Sequence, residues 1–145
     1  MNDDILLVED NADDLEMTLH ALRTGKVTNG ITIARDGVEA LDFIFCEGAF
    51  SERKMEGGPR MILLDLKLPK VDGLEVLKRV KGDPRTRRIP VVVLTSSKEQ
   101  SDLIESYDLG VNSYIVKPVS FEQFVAAVEG LGAYWLSLNQ AAIGS

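Results

Sequence analysis

Hydrophobic and polar positions follow two alternating rhythms along the chain. Unbroken apolar runs of strand length, Ile5-Leu6-Leu7-Val8, Met61-Ile62-Leu63-Leu64 and Val91-Val92-Val93-Leu94, are separated by stretches whose apolar residues recur at helical spacing. Runs without polar alternation fit strands covered by helices on both faces. Strand followed by helix, repeated, marks βα units around a parallel sheet, so the fold class reads as α/β with the first strand central.

The elements can be placed one by one. Strand one, Ile5 to Val8, leads into a helix capped by Asn11, with Asp13 and Asp14 where the helix dipole favours negative charge. Ala12, Leu15, Leu19 and Leu22 give its apolar stripe. Strand two covers Ile31 to Ala34; Asp36 then caps a helix from Gly37 to Cys46 whose stripe is Val38, Leu41 and Phe45. Glu47 to Pro59 has no clear period and reads as an extended loop kept for a function or a partner. Strand three, Met61 to Leu64, runs straight into Asp65, after which Pro69 and Asp72-Gly73 enforce a loop before a helix from Leu74 to Lys81. Asp83-Pro84 ends that helix, Pro90 opens strand four, Val91 to Leu94, and Thr95-Ser96-Ser97 comes next. A fourth helix from about Lys98 to Leu109 stops at Gly110, and strand five, Ser113 to Val116, is closed by Lys117-Pro118. Ser120 and Gln123 form a capping box for a last helix, whose stripe Phe121, Phe124, Val128, Leu131 continues through Trp135 and Leu138.

Composition narrows the function classes. The 145 residues suit one domain. No apolar run approaches the roughly 20 residues that cross a bilayer, so no membrane partner is expected. The acidic start, Met1-Asn2-Asp3-Asp4, is unlike a secretory leader, and the lone Cys46 fits a reducing compartment; a cytoplasmic protein is expected. A net charge of -7 argues against nucleic acid as a partner, because that affinity rests on Lys and Arg neutralising phosphates. His20 lies off the stripe of its helix and reads as a surface residue, and Arg85, Arg87 and Arg88 as a solvated turn.

Residues suited to chemistry stand at the strand ends. Glu9-Asp10 comes directly after the first strand, Asp65 after the third, Thr95 after the fourth and Lys117 after the fifth. In an open parallel sheet ligands bind outside the carboxyl ends of the strands, so these side chains converge. Three carboxylates drawn together repel one another unless a cation lies between them. Oxygen donors without His or Cys suit a hard ion, and Mg²⁺ better than Ca²⁺ or Zn²⁺. Lys117 adds a positive point charge and Thr95 a hydroxyl donor, the groups that hold equatorial phosphoryl oxygens while Asp65 attacks in line. Asp65 is then the nucleophile and its product an acyl phosphate.

Glu9-Asp10, Asp65 within Leu63-Leu64-Asp65-Leu66-Lys67-Leu68-Pro69-Lys70-Val71-Asp72-Gly73, Thr95-Ser96 and Lys117-Pro118 together resemble the receiver domains of two-component response regulators, over essentially the whole chain. The steps of 30 residues from Asp65 to Thr95 and 22 from Thr95 to Lys117 match that family. The longer interval between Asp10 and Asp65 is assigned to the 47–59 loop. The resemblance implies a doubly wound sheet in the order 2-1-3-4-5 flanked by five helices. It also implies Mg²⁺, with Mn²⁺ able to substitute, bound by Asp10, Asp65 and the backbone carbonyl of Lys67, with Glu9 acting through a water. It further implies phosphorylation of Asp65 by a sensor histidine kinase or phosphotransfer protein, Thr95 and Tyr114 as a switch pair, a cis Lys117–Pro118 peptide, and an output face on helix four, strand five and helix five.

The long second loop, the Asp83-Pro84-Arg85-Thr86-Arg87 turn and the tail Tyr134 to Asn139 look like the stand-alone regulators paired with phytochrome-type kinases, which makes a bacteriophytochrome the expected kinase. On this reading a receiver domain spans 1–131 and a C-terminal helical extension 132–145, with no output domain, so signalling is by protein contact. The protein would promote its own phosphorylation and dephosphorylation without being an enzyme of turnover. Phe121, Trp135 and Leu138 would form a homodimer or partner surface, since exposing them leaves an apolar patch; the alternative is that the tail folds back onto its own domain.

Other functions fit the residues less well. A flavodoxin-like carrier needs a hydroxyl- and glycine-rich phosphate loop where this chain has Glu9-Asp10-Asn11. Phosphatases with an Asp nucleophile commonly carry a second Asp two residues on, and here Lys67 stands there. A degenerate receiver serving as a constitutive binding module is disfavoured by the complete pocket.

Overall fold

The computed structural model describes residues 5–24, 30–53, 59–117, 120 and 122–126. The strands are β1 (Ile5–Val8), β2 (Ile31–Ala34), β3 (Met61–Leu64), β4 (Val91–Thr95) and β5 (Ser113–Val116). Between them run α1 (Ala12–Thr24), α2 (Gly37–Ile44), α3 (Gly73–Gly82) and α4 (Gln100–Asp108). Residues 122–126 are the described part of the fifth helix, and there the Ser120 hydroxyl accepts from the Gln123 amide at 3.1 Å, the side-chain half of the expected box. All pairings are parallel, as the alternating pattern predicts, and the sheet order is β2-β1-β3-β4-β5, as the receiver resemblance implies.

Alternate residues of the buried strands feed two separate cores, which explains their unbroken apolar runs. Ile5, Leu7, Met61, Leu63, Val92 and Leu94 face Leu15 and Leu22 of α1 and Phe124. Leu6, Val8, Ile62, Leu64, Val91 and Val93 face α2 and α3 through Phe43, Ile44, Val76 and Leu77. Truncating any of these large side chains to Ala would cost about 2–5 kcal/mol, so the strand ends are held firmly in register.

Two helical stripes differ from expectation. In α2, Val38 is 40% exposed and Phe45 only half-buried, while Gly37, Ala40, Leu41, Phe43 and Ile44 are buried. The smallest residues let this helix approach closely: a Cβ on Gly37 would fall 1.8 Å from the Val71 carbonyl oxygen. In α1, Ala12 is exposed and the inner face is Leu15, Thr18, Ala21 and Leu22. Cys46, expected as the last residue of α2, lies beyond it at φ 56, a left-handed position that usually favours glycine. Its thiol is free and partly buried.

The loop after α2 is more ordered than its sequence suggests. Gly48–Phe50 forms a 3-10 turn, and the Phe50 ring meets Phe43 edge-on with centroids 5.1 Å apart. The Arg53 guanidinium lies 3.8 Å from the Phe43 ring centroid and donates to the Phe43 carbonyl at 2.7 Å. The segment is thereby pinned to the end of α2 at Phe43, and Phe50 adds to the core on that face of the sheet.

Candidate functional site

Strand register assembles the site. Val8 pairs with Leu64, so the next residues, Glu9 and Asp65, emerge side by side. The Asp65 amide continues the ladder by donating to the Val8 carbonyl at 3.1 Å. Thr95 pairs with Val116, and the Lys117 amide donates to the Thr95 carbonyl at 2.8 Å. All these positions lie at the carboxyl edge, where the chain order reverses on either side of β1 and ligands of such sheets bind.

Local turns then aim the side chains. The Asp72 carboxylate caps α3 by accepting from the Glu75 amide at 3.0 Å, which closes the loop that begins at Asp65. The Lys67 amide donates to Asp65 Oδ1 at 3.0 Å, leaving Oδ2 toward Lys117. Lys117 Nζ lies 3.2 Å from Asp65 Oδ2, 3.0 Å from Glu9 Oε1 and 2.6 Å from Asp14 Oδ2. Glu9, Asp65, Thr95 and Lys117 are buried, whereas Asp10 is exposed.

Electrostatics reflect that crowding. Burial works against charge on Lys117, but the hydrogen bonds to Asp14 and Glu9 and the field of Asp65 outweigh it and hold the ammonium well above its ordinary value. Burial pushes the Glu9 carboxyl up, Lys117 opposes it and the neighbouring Asp65 charge adds to it, with a net rise to about 7. The pocket carries more negative charge than one lysine balances.

Carboxylate oxygens of Glu9, Asp10 and Asp65 all lie within 4.8 Å of one another. An all-oxygen donor set with one exposed member, open to water, fits a hard divalent cation. Asp10 and Lys67 also line an open cleft of about 450 Å³ beside the cluster.

Thr95 is fully buried at the end of β4, its hydroxyl accepting from the Ser97 amide at 3.3 Å. The Tyr114 hydroxyl donates to the Ser97 carbonyl at 3.2 Å, so both expected switch residues touch one residue of the β4–α4 loop. Ser97 is fixed in turn by donating its hydroxyl to Asp102 at 2.5 Å. In the sequence Ser97 stands out only as part of a hydroxyl cluster, and Asp14 only as a helix-dipole residue. Phe121, Trp135, Leu138 and the Lys117–Pro118 peptide lie outside the described residues. His20 is exposed as expected; Arg85 pairs with Asp83 within its own turn at 2.9 Å.

The fold and pocket are those of a signalling receiver, and comparison with known proteins agrees. Residues 5–129 match the response regulator receiver domain family, and the chain belongs to it. It is 46% identical over 141 residues to the probable methanogenesis regulatory protein FilR2 of Methanothrix harundinacea, covering 94% of this chain and 86% of that protein. The crystal structure of the phosphorylated cyanobacterial phytochrome response regulator RcpA superposes with TM-score 0.84 at 41% identity, covering 98% and 99% of the two chains. The bacteriophytochrome response regulator RtBRR gives TM-score 0.80 at 56% identity, covering 100% and 87%. The Mn²⁺-bound form of response regulator Rcp1 gives 0.82 at 39%, covering 94% and 96%. The chain is thus a receiver homologous to phytochrome-associated response regulators. Among the described residues no helix is long and apolar enough to cross a membrane.

Proposed function

We propose that Asp65 accepts a phosphoryl group from the phosphohistidine of a sensor kinase or phosphotransfer protein. One Asp65 carboxylate oxygen bonds to phosphorus while the P–N bond breaks and its electron pair returns to the imidazole, so Asp65 needs no proton removed. Lys117 and Thr95 pair with the phosphoryl oxygens as they spread in the transition state. Asp10, Asp65 and the Lys67 carbonyl would hold Mg²⁺, with Glu9 reaching it through water. When bound, the cation supplies the positive charge that offsets phosphoryl and carboxylate repulsion. The same groups would support loss of the phosphoryl group to water.

The observation that carries this reading is the meeting of Lys117 with both Glu9 and Asp65 at the sheet's carboxyl edge. Thr95 and Tyr114, joined through Ser97, would shift together on phosphorylation and alter the face of α4 and β5 for a partner. Homology to RcpA and RtBRR favours a phytochrome-type kinase in the cytoplasm. The division at 131 and 132, with a dimer built through Phe121, Trp135 and Leu138, rests on the apolar stripe; a strict monomer by sedimentation in both phosphorylation states overturns it.

Incubation with acetyl phosphate and Mg²⁺, then intact mass, tests the acceptor. One phosphoryl adduct is expected in the wild type and none in Asp65→Asn. An adduct retained by the variant would assign the chemistry to another residue.

A further inference from the structure

Lys117 has a partner that the acceptor chemistry does not require. Its Nζ approaches Asp14 Oδ2 to 2.6 Å, closer than Glu9 at 3.0 Å or Asp65 at 3.2 Å. Asp14 stands in the first turn of α1, and its own amide is held by the Asn11 side chain at 2.9 Å, so the carboxylate is carried on a fixed part of the helix. It is also separate from the three carboxylates gathered closely enough to share an ion. A lysine ammonium donates three hydrogen bonds, and here each of its three carboxylate contacts is a different residue. Two of those residues, Glu9 and Asp65, are engaged elsewhere once a cation and a phosphoryl group fill the pocket. Asp14 remains.

We propose that Asp14 is a positioning residue that tethers Lys117 beside Asp65 while the other two carboxylates serve the cation and the phosphoryl group. The inference rests on the phosphoacceptor role of Asp65. A lysine ends in a flexible four-carbon stem, and anchoring it before the donor arrives removes the cost of ordering it during the reaction. Without Asp14, the ammonium has only Glu9 and Asp65 left among its carboxylate partners, and there it competes with the cation.

The test compares wild type, Asp14→Ala, Asp14→Glu, Lys117→Gln and the Asp14→Ala/Lys117→Gln double variant. Two quantities are read: the rate of acyl phosphate formation from acetyl phosphate at saturating Mg²⁺, and Mg²⁺ affinity by calorimetry. Asp14→Ala should slow the reaction about tenfold, the loss of one charge-assisted hydrogen bond, and should weaken Mg²⁺ binding. Asp14→Glu should recover most of both. In the Lys117→Gln background the Asp14→Ala change should have no further effect, because its anchor point is gone. An unaltered Asp14→Ala, or an effect of equal size with Lys117 already replaced, overturns the tether. Should Asp14→Ala fail to fold by circular dichroism, Asp14→Asn carries the same comparison. A wild type that takes no phosphoryl group overturns the acceptor role instead, and the Mg²⁺ titrations still decide the tether.

Discussion

Gly73 packs directly against the backbone of Asp65. A Cβ on Gly73 would fall 2.3 Å from the Asp65 carbonyl oxygen and 2.5 Å from Leu66 Cα. The Gly73 amide also donates to the Leu66 carbonyl at 2.9 Å, fastening the start of α3 beneath the loop that carries the acceptor. Both obstructing atoms are backbone and cannot swing aside as a flexible side chain would. Gly73→Ala is therefore expected to destabilise the fold by about 1–3 kcal/mol and to displace Asp65. Urea unfolding should show the first effect, and slower acyl phosphate formation from acetyl phosphate the second.

Glu9 gives a pH dependence with a definite sign. Its pKa rises from 4.5 to about 7 on folding, so between those values the native state holds a proton that the unfolded chain has released. Stability should then fall as pH rises through that window, provided metal is removed. Glu9→Gln, which keeps the shape without the charge, should flatten this slope and leave the metal-free protein more stable than wild type above pH 7. Urea midpoints in chelator at about pH 5 and about pH 8 measure both.

Asp36 titrates in the opposite direction. The Glu39 amide donates to its carboxylate at 2.8 Å and lowers its pKa below 3.8; partial burial opposes this, and Lys70 at 3.4 Å adds to it. The stabilisation is present above 3.8 and is lost as pH falls through the folded value. Asp36→Ala should cost about 1 kcal/mol at neutral pH, and the difference from wild type should be smaller at an acid pH below 3.8. Paired denaturation curves at the two pH values check the convergence.

Arg53 tests the pinned loop. Removing its stacking on Phe43 and its hydrogen bond to the Phe43 carbonyl should cost about 1–2 kcal/mol. Because Phe43 lies in the last turn of α2, away from the carboxyl edge of the sheet where that helix begins, Arg53→Ala should speed hydrogen exchange in residues 47–53 and leave acyl phosphate formation unchanged. A fall in phosphorylation would link the loop to the pocket.

Much of this architecture is legible in residue order because its causes are local. Val91 to Val93 reads as a buried strand from its own apolar run, Asp36 as a cap from its place before a helical period, and Glu9, Asp65, Thr95 and Lys117 as convergent because each comes directly after a strand or closes one. The misplaced stripes have a different origin. Periodicity weights bulky residues, so it selects Val38 and passes over Gly37 and Ala40, whose smallness is what lets α2 come close.

The linear pattern by itself determined the βα rhythm, the strand limits to within the one residue by which β4 runs on through Thr95, and the set of groups at the carboxyl edge, since nearest-neighbour periodicity and turn chemistry suffice for these. Which carboxylates Lys117 touches, and that Ser97 meets both Thr95 and Tyr114, were decided only in three dimensions. Asp14 and Lys117 stand 103 residues apart, and no sequence spacing reports the distance between atoms that strand register and helix packing bring within hydrogen-bonding range.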